Sequence, residues 1–110
     1  MNYGVSLAVL FLAAVLEAGG DALMRNSLHS SDTARRIFFL VASGLVLTSY
    51  GYAVNVPPWN FGKLLGVYVG FFLVVAQLID WIVFDQKPTA TIFVGGALIA
   101  VGGLVVSLGK

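Results

Sequence analysis

Four long apolar runs, separated by short polar breaks, organise the chain. They cover Gly4–Leu23, Ile37–Val54, Leu64–Phe84 and Thr91–Leu108. A helix needs roughly 20 predominantly apolar residues to cross a hydrocarbon core of about 30 Å, so each run predicts one membrane-spanning helix. The longest break is Arg25–Arg36 (RNSLHSSDTARR). In Asn55–Asn60 the paired Pro57 and Pro58 cannot continue a helix, and Trp59 suits the headgroup region. Asp85–Thr89 stops the third run, again with a proline, Pro88. Short connections imply antiparallel neighbouring helices. The pattern predicts an all-α membrane protein, a single four-helix domain over residues 1–110.

Composition sharpens this picture. Of 110 residues, 59% are apolar and 10% are charged, whereas a soluble domain carries about a quarter charged residues. Too few polar side chains remain to coat a soluble globule. The formal net charge of +1 gives no electrostatic case for nucleic acid. The absence of cysteine excludes a disulfide scaffold, thiolate metal sites and a cysteine nucleophile. A single histidine, His29, argues against a histidine-based metal site. No metalloprotease helix, phosphate loop or serine triad stands out, so neither an enzyme nor a bound cofactor or metal is expected.

The charges that remain bear on orientation. Met1-Asn2-Tyr3 lacks the basic residues that open a secretory signal, so the first run is expected to be a mature span. Arg25, Arg35, Arg36 and Lys87 fall on one side, Lys63 and Lys110 on the other. The bias favours the first and third loops inside. It is small enough to be compatible with insertion in both orientations.

Glu17 is the residue that most changes the reading, because it falls inside the first span, near mid-depth. An acidic side chain at the centre of a membrane helix costs about 2.5–3.5 kcal/mol on insertion scales. Desolvation disfavours its charged form, so a carboxyl group there can take up and release a proton. The functional reading is a proton or cation site; the structural one is a permanently neutral, hydrogen-bonded group that joins helices. Asp21 and Arg25 follow at four-residue steps on the same stripe. Asp21 is either a second proton or cation ligand or the partner of a snorkelling Arg25. Gly20, with Ala13 and Ala14, leaves room beside the carboxylate.

Other spans supply candidate lining. Gly62, Gly66 and Gly70 repeat at four-residue steps; such stripes let helices approach closely, and Gly66 and Gly70 would also clear space next to Glu17. Tyr68 is the aromatic candidate to face a cation there. Gln77 and Trp81 continue the Gly70 stripe, and Asp80 and Asp85 are expected at the interface. Ser43 and Tyr50, seven residues apart, could line a cavity with Glu17, although hydroxyls in membrane helices often bond only the preceding turn. In the fourth span, Gly95 with Gly102 and Gly96 with Gly103 are each seven apart, and both pairs are expected to form a contact surface for a second chain.

Several of these motifs together resemble the small multidrug resistance family of proton-coupled exporters. Glu17-Ala18-Gly19-Gly20-Asp21-Ala22-Leu23-Met24-Arg25 is similar to that family's first-helix pattern, a Glu, two variable residues, Gly, then a Leu-Met-basic ending. Asp85-Gln86-Lys87-Pro88 resembles its third turn, and Gly95 and Gly102 match its helix-four dimer contact. Phe61-Gly62-Lys63-Leu64-Leu65-Gly66-Val67-Tyr68-Val69-Gly70 is similar to a run in the related YnfA-like branch. The resemblance covers nearly the whole chain. It departs at Leu65, which stands where multidrug members carry a first helix-three aromatic, and at Asp21, where they carry a small or hydroxyl residue.

The resemblance implies a homodimer of four-helix chains, antiparallel, in the cell's inner membrane, with two Glu17 side chains sharing one site. It implies exchange of protons for a small cationic or guanidinium-like substrate. Quaternary ammonium ions, guanidinium-like metabolites and polyamines all remain open. The alternative is a non-transporting membrane subunit that partners another membrane protein, and a passive channel is a third reading. A single titratable group at mid-depth favours exchange, since a pore would present polar residues along its length.

Overall fold

A computed structural model describes residues 1–109 of the chain; Lys110, counted above in the charge balance, lies outside the described residues. The chain forms four α-helices: α1 (Tyr3–Leu28), α2 (Thr33–Val54), α3 (Phe61–Ile82) and α4 (Ala90–Leu108). All four are long and apolar enough to span a membrane, and no strand occurs among the described residues. The protein is an all-α, four-span, multi-pass membrane protein.

The helix ends differ from those of the apolar runs, and capping explains why. α1 continues past Leu23 to Leu28, and α2 begins at Thr33 rather than Ile37. The 12-residue polar break therefore shrinks to a tight connection over 29–32. Hydropathy marks the hydrocarbon-facing stretch, but backbone hydrogen bonding continues into the interface until a capping side chain ends it. Asp32 caps α2 by accepting from the Ala34 N–H at 3.3 Å. Asn60 caps α3 by accepting from Gly62 N–H at 3.0 Å and Lys63 N–H at 3.4 Å. Asn2 and Thr89 do the same for α1 and α4, on Val5 N–H at 2.8 Å and Ile92 N–H at 3.3 Å. Beyond α3, Asp85 takes a positive φ of 56°, a left-handed conformation that Asp tolerates better than most residues. The Gln86 N–H then donates back to the Asp80 carbonyl at 3.0 Å.

Small residues set the packing. In lipid no hydrophobic force draws helices together, so association depends on close backbone approach and hydrogen bonds. α1 buries Ser6, Leu10, Ala13, Ala14, Ala18, Gly20 and Ser27, nearly all of them small. It packs against α2 on one side and α3 on the other, and α4 packs on α3 alone. The spatial order is thus α2–α1–α3–α4. The result is a slab of 50 × 34 × 18 Å, with α1 between α2 and α3 and α4 at one edge. Ser27 Oγ donates to the Arg36 carbonyl at 2.7 Å and ties the end of α1 to the start of α2.

Candidate functional site

Glu17 stands near the middle of α1, half-buried, with Tyr68 of α3 reaching across to it. The Tyr68 hydroxyl lies 2.8 Å from Glu17 Oε1 and 3.3 Å from the Ala13 carbonyl oxygen, one turn earlier on α1. Tyr68 is 4% exposed, so this pairing is shielded from lipid. A hydrogen bond from a neutral donor to a carboxylate is shorter and stronger than one between neutral groups. Two aromatic rings hold Tyr68 in place. Tyr50 of α2 packs on it at 5.7 Å between centroids, and Phe72 of α3 stacks at 6.1 Å. All three inner helices therefore contribute: α1 the carboxyl group, α3 the donor, α2 an aromatic wall.

Beyond Glu17, towards the first and third connections, α1 and α3 line a groove of about 400 Å³. Asp21 and Arg25 come from α1, and Gln77, Asp80 and Phe72 from α3, with Phe84 just past its end. Arg25 does not neutralise Asp21. Its guanidinium carbon lies 5.6 Å from the centre of the Phe84 ring, and the described residues form no ion pair. Glu17 is thus flanked by an aromatic cluster on one side and a polar groove on the other, with Ala18 and Phe72 bordering both. Among the described residues no cluster of His, Asp and Glu side chains is placed to hold a metal ion.

The remaining expected residues divide by what they touch. Gly20 faces α2, not an open space: a β-carbon on it would lie 2.7 Å from Leu47 Cγ and Cδ2. Ser43 is fully buried, but its hydroxyl donates to the Leu40 carbonyl at 2.9 Å and approaches Met24 Sδ at 3.9 Å, two helical turns from Glu17. Gly66 and Gly70 sit two residues either side of Tyr68, and a two-residue step turns a helix by about 200°. They consequently lie on the opposite face of α3 from Glu17. A β-carbon on Gly66 would meet Val106 of α4 at 3.0 Å, while Gly70 is open. On α4, Gly96 faces Leu73 and Gly103 faces the Gly66 carbonyl, so both pack within the chain. Gly95 and Gly102 have nothing within 4 Å of a β-carbon and leave an open strip. Phe72, Gln77 and Asp80 join the groove although only their positions, about one to three turns beyond Tyr68 on α3, could have signalled it.

Four spans, short connections and a membrane-embedded carboxyl group held by a buried tyrosine define a small integral membrane protein built around one mid-depth acid. Comparison with known proteins places it further. A family model described as "Uncharacterised BCR, YnfA/UPF0060 family" matches residues 5–109, and the chain belongs to that family. It is 31% identical over 100 residues to the UPF0060 membrane protein YfjF of Bacillus subtilis, covering 89% of each chain. Over 106 residues it is 30% identical to a UPF0060 membrane protein of Bacillus licheniformis, covering 94% of each. A UPF0060 membrane protein of Herpetosiphon aurantiacus is 27% identical over 103 residues, covering 92% of this chain and 91% of the relative. No solved structure matches.

Proposed function

We propose that the chain exports small organic cations across the cell's inner membrane in exchange for protons, with Glu17 as the shared binding group. The observation that carries this reading is the setting of Glu17. An acid at mid-span is held by a buried phenol hydroxyl at 2.8 Å, has no ion-pair partner among the described residues, and adjoins an open polar groove. A carboxyl group needed only to join helices would be satisfied on all sides. Glu17 is only half-buried, and the groove begins at the next residue, Ala18. The resemblance of the first-helix run and the third turn to small multidrug resistance exporters supports the same reading.

Deprotonated Glu17 would bind the cation by charge, with Tyr50 and Phe72 offering aromatic faces. Protonation would release it. Asp21 and Asp80 across the groove would attract cations towards the site, a role that needs no direct ligation. The order α2–α1–α3–α4, with α4 packed on α3 alone, supports a homodimer, because a second copy would close the pathway around Glu17. The resemblance favours an antiparallel pair, with the open Gly95–Gly102 strip of α4 as a contact. Alternating access would then come from the two copies exchanging conformations.

The test is proton release from purified, detergent-solubilised protein on adding quaternary ammonium ions, guanidinium derivatives and polyamines in turn. Wild type is expected to release protons with at least one class and Glu17→Gln with none. Release that is equal in both proteins would sink the proposal. Silence with every class from a folded sample would favour the non-transporting subunit.

A further inference from the structure

The Tyr68 hydroxyl carries one hydrogen and faces two acceptors. Glu17 Oε1 is at 2.8 Å and the Ala13 carbonyl at 3.3 Å. Ala13 lies four residues before Glu17, so its carbonyl belongs to the turn of α1 on which the acid sits. Both atoms are reached from a side chain almost sealed from its surroundings. The ring cannot swing away, because Tyr50 and Phe72 pack on it; only the O–H can rotate about its C–O bond.

We propose that Tyr68 is a two-position hydrogen-bond donor whose choice of acceptor follows the protonation of Glu17. When Glu17 is ionised, Tyr68 donates to its carboxylate and leaves Ala13 with its helical bond alone. Once Glu17 holds a proton, the acid's own O–H donates to the Tyr68 oxygen, and the phenol hydrogen turns to the Ala13 carbonyl. The phenol keeps its proton throughout; only the direction of two hydrogen bonds changes. Neither the Tyr68 hydroxyl nor the Glu17 acid is left unpaired in either state, which matters because an unsatisfied polar group away from water costs as much as a lost hydrogen bond or more. Ala13 thereby contributes through its backbone, as a parking acceptor for the protonated state. Tyr68 is a positioning residue in this scheme, acting through Glu17. The ionisable groups close enough to act on one another are Glu17 and Asp21 from α1, Tyr50 from α2 and Tyr68 from α3.

The inference rests on the exchange reading only in requiring that Glu17 change protonation state, and it is tested without a substrate. The measurement is infrared titration of the protonated Glu17 carbonyl band in lipid, the band being identified by its loss in Glu17→Gln. Tyr68→Phe keeps the ring and its packing but removes the donor. It takes one charge-assisted hydrogen bond from the ionised state and two neutral ones from the protonated state, so its effects on the midpoint oppose one another; the readout is the carbonyl band of protonated Glu17, expected to move to higher frequency as the acid loses its partner. An ester in place of the Ala13–Ala14 peptide bond weakens the second acceptor. It penalises the protonated state and is expected to lower proton affinity. An unshifted carbonyl band in Tyr68→Phe would overturn the donor role. An unchanged midpoint in the ester protein would overturn the switch to Ala13. If no Glu17 band appears at any pH, this proposal and the exchange reading fail together. Normal titration without cation-evoked release leaves this one standing and the other not.

Discussion

Gly20 of α1 and Leu47 of α2 meet so closely that a β-carbon on the glycine would lie 2.7 Å from two carbons of the leucine side chain. The crossing of the two helices is set at this point. With Gly20→Ala, Leu47 must move; with Gly20→Leu, the helices must separate. Overpacking of this kind costs about 1–3 kcal/mol. Gly20→Leu is expected to lower the unfolding midpoint in detergent well below that of Gly20→Ala. Equal midpoints for both variants and wild type would show that the contact does not hold the pair.

The two glycine pairs of α4 are expected to separate in experiment. Gly96 and Gly103 pack on α3, whereas Gly95 and Gly102 are open. Leucine at Gly103 should loosen α4 from α3 and destabilise the single chain by about 1–3 kcal/mol. Leucine at Gly102 should leave the chain's own fold intact and weaken self-association, read by cross-linking or by fluorescence transfer between labelled copies in vesicles. The reverse pattern would exchange the roles of the two faces.

Asp85 sits at φ 56°, where a β-carbon is unfavourable by roughly 1–2 kcal/mol for most residues. Asp85→Gly is expected to be neutral or stabilising. Asp85→Val should be destabilising by about 1–2 kcal/mol, and denaturant titration of the two variants checks the difference. A valine variant as stable as the glycine one would mean that the turn relaxes freely.

If proton and cation share Glu17, cation affinity must fall as pH falls, since protons then occupy the site. The limiting slope for one shared site is about tenfold per pH unit, the proportion in which proton activity changes. Equilibrium binding measured from acid to alkaline pH should show this trend in wild type. Asp21→Asn should weaken binding while preserving the trend, because Asp21 lines the groove and is not the proposed shared group. A pH-independent affinity in wild type would remove competition as the mechanism.

The spans were legible because charged and apolar residues separate so cleanly along the chain; their packing order was not, since the short 55–60 connection predicts α2 and α3 as neighbours and the structure sets α1 between them. Glu17 was legible for the same reason: one acid inside an apolar run is conspicuous. Tyr68 is legible as an aromatic candidate and Tyr50 as a lining hydroxyl, but the packing of their rings on one another is not foreseeable from spacing. What the pattern could not convey is which way each membrane helix faces. In a soluble helix the apolar stripe marks the buried side; in lipid every side is apolar, and the period loses that meaning. Gly66, Gly70 and Ser43 were therefore assigned to the Glu17 side by spacing alone. The structure places the two glycines across α3 from it and Ser43 two turns away. The helix ends were missed for a different reason. Arg25–Leu28 and Thr33–Arg36 are too polar to count as membrane yet remain helical until Asp32 and its neighbours close the backbone.

The four N-terminal caps carry a consequence of their own. Asn2 and Asn60 start the helices that rise from one face of the bilayer, and Asp32 and Thr89 start those that rise from the other. Both surfaces thus offer the same equipment, one polar side chain on the first free N–H groups of each helix that begins there. Turning the molecule upside down would cost the helix ends nothing. The direction in which it is threaded is left to a handful of arginines and lysines.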